Sequence, residues 1–292
     1  MKLRLAIIIP AYNEERRLPR TLTHLREAAQ RPDFPWELAK VIVVNDGSKD
    51  ATSRLVLEEK ALFPELELVE FRENQGKGAA VFAGLFEMET YFDGFADAVL
   101  VADADEATPW KELWGLSAAR ARFPQAFLIF GSRRHPESQI LTRQVWWREK
   151  MGRIFNQLLR LVTGVPFKDT QCGFKLFATG EDLRAILQLW TVNRFAWDAE
   201  VVLNALGLGL ECIEHPVEWH HVDESRVHPV KDGLQMAQEI LKIRLKQSIR
   251  GPRSERLKNG RFDPTSMTDR VKTQIISSKI ALTEKNRTSQ NS

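Results

Sequence analysis

Short apolar runs alternate with amphipathic segments along the first half of the chain. Brief runs of hydrophobic, β-branched residues are typical of buried strands, and apolar positions three and four residues apart are typical of helices that cover a sheet. The predicted strands cover residues 3–9, 41–44, 66–71, 98–102 and 126–130. The predicted helices cover residues 15–30 and begin near residues 50, 76 and 109. This alternation predicts an α/β fold with a mostly parallel central sheet and helices on both faces.

The second half of the chain is less regular. We expect strands over 169–177 and 210–219 and helices over 143–162, 179–189, 198–206 and 232–249. Asp50, Thr179 and Asp198 are predicted N-caps of the helices that follow them. Periodicity fades after Gly251, where Ser, Thr, Asn and Lys dominate. We therefore expect one domain over residues 1–250 and a basic, mobile tail over 251–292.

Composition and charge exclude several classes of protein. The chain is 43% hydrophobic and 28% charged, as folded proteins are. Its two cysteines exclude a disulfide-dense scaffold and favour a reducing compartment. The net charge is only +3, with +5 in residues 251–292 and −2 in the remainder. Since the predicted domain is nearly neutral, we expect no nucleic-acid partner.

The N-terminus and the apolar runs bear on location. No run approaches the roughly 20 apolar residues that a membrane-spanning helix needs. The first apolar run leads directly into Pro10 without the small residues of a signal-peptide cleavage site. We therefore expect a cytoplasmic protein. Residues 143–162 are amphipathic and rich in Trp, Leu, Lys and Arg, and residues 234–250 are amphipathic and rich in Leu, Ile, Lys and Arg. Both segments could simply cover the sheet, or they could make a peripheral contact with the inner face of a membrane.

Polar residues follow the predicted strands, at the sheet edge where ligands bind in such folds. They are Asn13, Glu14, Asp46, Asp103, Asp105 and Arg133. On an extended chain Asp103 and Asp105 would point the same way, and two such carboxylates repel unless a cation lies between them. Mg²⁺ and Mn²⁺ prefer oxygen ligands and complete their shells with phosphates. This pair therefore predicts a site for a metal ion and a diphosphate, although Asp-x-Asp alone is also common in loops.

Two further segments have both a functional and a purely structural interpretation. The carboxylate of Asp46 could accept a hydrogen bond from a nucleotide base or a ribose hydroxyl. Alternatively, the segment from Asn45 to Asp50 could be a plain turn. Gly76-Lys77-Gly78 could present Lys77 and backbone amides to a phosphate at a helix start, or form an ordinary glycine turn. The residues alone leave both alternatives open.

Taken together, these motifs resemble a known enzyme family. The motifs Ile8-Ile-Pro-Ala-Tyr-Asn-Glu14, Asn45-Asp-Gly-Ser-x-Asp-x-Thr52, Asn74-x-Gly-Lys-Gly78 and Asp103-Ala-Asp105 resemble the inverting family-2 glycosyltransferases of the GT-A fold. Later motifs resemble the dolichyl- or polyprenyl-phosphate β-glucosyltransferase branch. They are Gly131-Ser-Arg133, Asp169-Thr-Gln-Cys-Gly-Phe-Lys175, Arg194-Phe-Ala-Trp-Asp-Ala-Glu200 and Pro216-Val-Glu-Trp219. The resemblance spans about residues 3–245, and Asp-Thr-Gln-Cys-Gly-Phe-Lys is its most specific part.

The resemblance implies a role for each matching position. A UDP-sugar donor would be bound by Pro10, Tyr12, Glu14, Asp46, Lys77, Asp103 and Ala104. Asp105 would bind the Mg²⁺ or Mn²⁺ that bridges the diphosphate, and Arg133 would add positive charge nearby. Asp198 matches the acidic catalytic position of the family, with Glu200 two residues on. The favoured reaction moves a hexose, expected to be glucose, from the UDP-sugar to a polyprenyl or dolichyl phosphate.

Two alternatives stay open at this stage. One is the same chemistry on a soluble or protein-linked hydroxyl acceptor, for which Asp198 would act as a base. A phosphate acceptor needs cations instead, and the available ones are Arg133, Arg134, Lys175 and Arg194, of which Lys175 and Arg194 could equally be surface charges. The other alternative is a nucleotide-sugar-binding protein without turnover, which the presence of Asp103, Asp105 and Asp198 disfavours.

Overall fold

The computed structural model of the chain describes residues 1–91, 94–142, 157, 160–222 and 229–249. Its strands are β1 Arg4–Ala11, β2 Glu37–Asn45, β3 Leu66–Glu70, β4 Ala98–Val101, β5 Leu128–Ser132, β6 Gln139–Thr142, β7 Lys175–Ala178, β8 Cys212–Pro216 and β9 Glu218–His220. Its helices are α1 Leu18–Ala29, α2 Thr52–Lys60, α3 Lys77–Tyr91, α4 Glu112–Arg122, α5 Glu181–Leu189, α6 Trp197–Gly207 and α7 Pro229–Ile249. The described residues contain no helix that is both long enough and apolar enough to span a membrane.

Seven strands form the central sheet, in the order β3-β2-β1-β4-β7-β5-β8. All neighbouring pairs run parallel except those of β7, which lies antiparallel between β4 and β5. The predicted α/β fold with a mostly parallel sheet is confirmed. The antiparallel position of β7 was not predicted, because four residues carry no signal of strand direction. A short ribbon of β6 and β9 lies outside this sheet.

Strand β1 shows how the core is divided between the two faces of the sheet. Its residues alternate, so that Ile7 and Ile9 contribute to one buried cluster and Ile8 to the other. The first cluster includes residues of α1, α2 and α4, and the second includes residues of α3, α5, α6 and α7. Helix α3 approaches β1 closely, because a Cβ on Gly84 would lie 2.5 Å from the side chain of Ile8. Helices of the described residues therefore cover both faces of the sheet.

Several predicted boundaries were wrong. The strand predicted over 169–177 begins only at Lys175, since Asp169 Oδ1 accepts from the amide of Gln171 and turns the chain. The predicted strand 210–219 divides into β8 and β9, which belong to different sheets. The helix predicted from Pro109 begins at Glu112.

The predicted N-caps also differ. Thr179 Oγ1 donates to the carbonyl of Ala96 instead of capping α5. Asp198 lies inside the first turn of α6 and does not cap it. Asp50 Oδ1 accepts from the amide of Thr52 at 3.0 Å, as a capping side chain would, although the N-cap position belongs to Ala51. Most of the predicted helix 143–162 and all of the predicted tail 251–292 lie outside the described residues.

Candidate active site

The loops that follow β1 and β2 are joined by hydrogen bonds at the carboxyl edge of the sheet. The amide of Asn13 donates to Ser48 Oγ at 2.7 Å, and the amide of Glu14 donates to Thr52 Oγ1 at 2.8 Å. In return, Asn13 Oδ1 accepts from the amide of Lys49 at 2.8 Å, with Asn13 at φ 53°. Hydroxyl groups of the loop after β2 therefore hold the loop after β1 in place. This fixes the positions of Tyr12 and Glu14 at the carboxyl edge of the sheet.

Asp46 anchors the loop that precedes α3. Its buried carboxylate accepts from the amides of Gln75 at 2.6 Å and Gly76 at 2.9 Å, and from Asn74 Nδ2 at 2.8 Å. Burial raises the pKa of Asp46 to about 6, although the two amides act in the opposite direction. Gly47 has φ +70°, and a Cβ there would lie 2.5 Å from the backbone of Glu73. The segment is thus a turn that holds the next loop.

Lys77 and Asp103 form an ion pair at the start of α3. Lys77 Nζ lies 2.5 Å from Asp103 Oδ1, and both side chains are partly accessible. Burial would raise the pKa of Asp103, but the positive charges of Lys77, Lys175 and Arg133 together outweigh burial, and the pKa is lowered. Burial opposes the charge of Lys77 too, yet Asp103 and Asp198 raise its pKa. The helix start is fixed because a Cβ on Gly78 would lie 2.7 Å from the carbonyl oxygen of Val192.

Asp105 lies in a turn rather than on an extended strand. Strand β4 ends at Val101, so strand alternation does not set the direction of this carboxylate as the sequence suggested. Asp105 Oδ1 accepts from the amide of Ala107 at 3.0 Å. Burial and the negative charge of Asp103 raise the pKa of Asp105. The result is a partly accessible carboxylate in a negative environment, which a divalent cation would stabilise.

Arg133 is held by Asp169. Its Nε and a terminal nitrogen donate to the two carboxylate oxygens of Asp169 at 2.7 and 2.9 Å, and its amide donates at 3.0 Å. Burial would raise the pKa of Asp169, but the guanidinium lowers it. The guanidinium carbon also lies 5.6 Å from the centre of the Trp219 ring. Arg133 is therefore a fixed charge, and it lowers the pKa of Asp103 as well.

Asp198 and Lys175 form a second ion pair, beneath the surface. Asp198 is 5% exposed and Lys175 is 0% exposed. Lys175 Nζ donates to Asp198 Oδ1 and to the carbonyl of Cys172. Burial raises the pKa of Asp198, while Lys175 and Lys77 act to lower it. Lys175 is consequently neither the surface charge nor the open phosphate contact that its sequence allowed.

The matched part of the chain identifies its family. Residues 6–177 match the model of glycosyl transferase family 2. The chain belongs to glycosyl transferase family 2. It is 34% identical over 244 residues to a dolichyl-phosphate beta-glucosyltransferase of Trichomonas vaginalis, covering 81% of this chain and 69% of the relative. It is 32% identical to the human dolichyl-phosphate beta-glucosyltransferase, covering 83% of this chain and 75% of the relative.

Solved structures confirm the fold of this glycosyltransferase. A glucosyl-3-phosphoglycerate synthase from Mycobacterium tuberculosis, solved with Mn²⁺, UDP and phosphoglyceric acid, superposes with a TM-score of 0.58 at 16% identity. The superposition covers 84% of this chain and 78% of that one. A mannosyl-3-phosphoglycerate synthase from Rubrobacter xylanophilus gives 0.55 at 16% identity, with 85% and 76% covered. The expected GT-A fold and glycosyltransferase class are confirmed.

The structure brings the predicted site residues of this glycosyltransferase to one edge of the sheet. Pro10 lies at the end of β1, and Ala104 is buried, with its carbonyl accepting from Thr21 Oγ1 at 2.8 Å. The carboxylate of Glu14 accepts from Arg17 at 2.6 and 2.7 Å. The roles of these residues toward a nucleotide stay predictions.

The donor atoms present are suited to a hard divalent cation. No three of the His, Cys, Asp and Glu residues in the described ranges converge on one metal position. A metal would therefore take Asp105 as a protein ligand and complete its shell with diphosphate oxygens and water. The raised pKa of Asp105 fits this arrangement, since bound cations favour the ionised carboxylate.

Sequence reasoning missed a structural role for Glu200. The side chain is 1% exposed, and it accepts from the amides of Thr191 at 2.8 Å and Val192 at 2.9 Å. The carbonyl of the neighbouring Asn193 accepts from the amide of Ala79 in the first turn of α3. Glu200 thus supports the loop on which α3 and Lys77 rest. A carboxylate two residues after Asp198 in a helical pattern was the available signal.

Proposed function

We propose that this family 2 glycosyltransferase moves glucose from UDP-glucose to a polyprenyl phosphate of the dolichyl type, with inversion at the anomeric carbon. The observation that carries the proposal is its 34% identity, over 81% of the chain, to a dolichyl-phosphate beta-glucosyltransferase. The same name recurs among relatives from Dictyostelium discoideum and Drosophila melanogaster, at 32% and 34% identity. Lys77, Asp103, Asp105 and Asp198 would supply the charged groups for the reaction.

The donor would bind along the edge formed by the loops after β1, β2 and β4. We assign Pro10, Tyr12, Glu14, Asp46, Asp103 and Ala104 to the nucleoside. Asp46 would shape the nucleoside site mainly through the loop at 74–76, because its carboxylate already accepts three hydrogen bonds from that loop. Lys77 is held by Asp103 at 2.5 Å and would add a positive charge beside the phosphates.

The leaving group in this reaction is UDP, so negative charge develops on its diphosphate. Mg²⁺ or Mn²⁺, held by Asp105, would stabilise that charge. The chain contributes the fixed cations Lys77 and Arg133, which need no reorganisation because carboxylates already hold them.

Asp198 would lie on the acceptor side of the sugar. A phosphate monoester is already an anion at neutral pH and attacks the anomeric carbon without a strong base. In that case Asp198 would orient the acceptor. One observation favours the alternative of a hydroxyl acceptor: burial raises the pKa of Asp198, as it does for general bases.

Helix α7 supports a peripheral membrane contact for a lipid acceptor. Leu241 and Leu245 are 52% and 64% exposed, and one helical turn separates them. Lys242 and Arg244 lie beside them on an exposed surface. Apolar residues flanked by cations are typical of helices that lie on anionic membranes.

A donor panel tests the proposal. The full chain would be incubated with a short polyprenyl phosphate, Mn²⁺ or Mg²⁺, and UDP-glucose, UDP-galactose or GDP-mannose in turn. We expect transfer from UDP-glucose at least about tenfold faster than from the others, which one well-placed hydroxyl contact can supply. Equal rates with GDP-mannose, or rates unchanged by a chelator, would contradict the donor and metal assignments.

A further inference from the structure

Lys175 occupies an unusual environment for a lysine. It begins β7, its side chain is 0% exposed, and the aliphatic stem passes through the core. Lysines are almost never fully buried unless their charge is paired. Here the ammonium contacts Asp198 Oδ1 and the carbonyl of Cys172, and it lies 5.1 Å from the centre of the Trp197 ring. An anion, a carbonyl dipole and an aromatic face surround the charge.

The complete burial of the side chain, together with these contacts, keeps the ammonium away from a substrate. An ammonium has three N–H donors, and two of them point to the oxygens of Asp198 and Cys172. The indole ring of Trp197 lies beside the ammonium, with its centre 5.1 Å from Nζ. Lys175 therefore acts on the protein and not on the acceptor phosphate directly.

The residues that Lys175 contacts belong to the two sides of the site. Asp198 lies on the proposed acceptor side, in the first turn of α6. Cys172 lies on the donor side, because the next residue, Gly173, packs directly on the carboxylate of Asp103. One buried ammonium thus joins the segment behind Asp103 to the carboxylate of Asp198.

The charged groups that act on Asp198 come from three elements. They are Lys175 on β7, Lys77 on α3 and Asp103 after β4. Lys175 is the one of these that the structure shows in a hydrogen bond with Asp198. Burial favours the neutral acid, and the positive charge of Lys175 favours the carboxylate.

We propose that Lys175 is a positioning residue of the transfer reaction, which holds the Asp198 carboxylate in one orientation relative to Asp103 and favours its charged form. This inference rests on the proposed function, because it takes the role of Asp198 from there. A merely structural lysine would stabilise the fold without acting through Asp198. The two roles can be separated. Only a positioning role predicts that replacing Lys175 has little further effect on kcat once Asp198 has been replaced.

A double-mutant cycle on the full chain makes this separation. Transfer from UDP-glucose to a short polyprenyl phosphate would be measured for wild type, Lys175→Met, Asp198→Asn and the double variant. Lys168→Met is the matched control, since Lys168 is an exposed lysine of the same segment. UDP affinity and thermal midpoint would be recorded for each.

We expect Lys175→Met to lower kcat about a hundredfold, with the KM for the donor within about threefold of wild type, since misplacing a group that orients the acceptor can cost this much. The acid limb of its pH profile should move upward by about one unit or more, because the Asp198 carboxyl loses its cation. The double variant should be no slower than Asp198→Asn by more than about threefold. Lys168→Met should match wild type.

Two results would overturn the inference while wild type is active. One is a double variant whose kcat falls by the product of the two single losses. The other is wild-type kcat in Lys175→Met. If Lys175→Met alone does not fold, the kcat of Asp198→Asn is compared with that of the double variant. The double variant should fold, because removing both charges leaves no unpaired buried ion. If wild type transfers no sugar from any donor, the proposed function fails and this inference fails with it.

Discussion

Gly173 packs directly against the carboxylate of Asp103, so that a Cβ at position 173 would overlap all three atoms of the carboxyl group. The glycine is therefore required by proximity rather than by backbone conformation. It allows Asp103 to lie 2.5 Å from Lys77 while the following residues lead into β7. This relationship links the most specific motif of the chain to the site after β4.

Gly173→Ala should displace Asp103 and disrupt its ion pair with Lys77. We expect kcat/KM to fall by about ten- to a hundredfold, since displacements of about 1 Å at a site can cost that much. Gly233→Ala is the control, because a Cβ on Gly233 meets nothing within 4 Å. Steady-state transfer assays check this, and full activity in Gly173→Ala would show that Asp103 can move without consequence.

Asp105→Asn should remove the metal-dependent part of donor binding. An amide is a weaker ligand for a hard cation than a carboxylate. We expect UDP affinity to become independent of Mn²⁺, and transfer to fall about a hundredfold or more. Titration calorimetry with and without Mn²⁺ measures the binding, with Asp182→Asn on the exposed start of α5 as the control. A Mn²⁺ effect as large as in wild type would place the metal elsewhere.

Asp169→Asn should destabilise the fold by about 3 kcal/mol, because it leaves the guanidinium of Arg133 with its partner's charge removed. The folded-state pKa of Asp169 is lowered, so its stabilisation is present above the ordinary carboxyl range and is lost as pH falls. Urea unfolding at pH 7 and at about pH 2.5 checks both points, because the stabilisation is lost only below the ordinary carboxyl pKa of about 4. The difference between the two proteins should shrink on acidification, and a constant difference would contradict the account.

Asp46 gives a pH dependence of the opposite sign. Its folded-state pKa is raised to about 6, so the folded state holds a proton that the unfolded state releases above about pH 4. The unfolding free energy due to Asp46 therefore falls as pH rises from about 4 to 6, by at most about 3 kcal/mol. Asp46→Asn should flatten that part of the stability curve. Parallel curves for the two proteins would mean that Asp46 is already ionised at low pH.

The sequence predicted those features that strand ends determine. Asp46, Lys77, Asp103 and Asp105 each follow a buried strand or open a helix, so their common edge was predictable from topology rules. The antiparallel β7 was not, because four residues do not encode the direction of pairing.

The sequence did not predict which acidic residue pairs with each buried basic residue. Arg133 and Asp169 are 36 residues apart, and Lys175 and Asp198 are 23 apart. Such pairs depend on how the strands and helices pack. Lys175 lies in a polar motif, so the sequence suggested a surface lysine. In the structure its side chain is fully buried in the core.

The central claim is that the acceptor is a lipid phosphate, and a comparison of matched acceptors tests it most directly. Initial rates of sugar transfer from UDP-glucose would be measured with a short polyprenyl phosphate and with the corresponding polyprenol, at equal concentration and with Mn²⁺. The account predicts rapid, chelator-sensitive transfer to the phosphate, a β-linked product, and a rate with the alcohol lower by about a hundredfold or more. Comparable rates with the alcohol, or transfer to neither lipid, would contradict it.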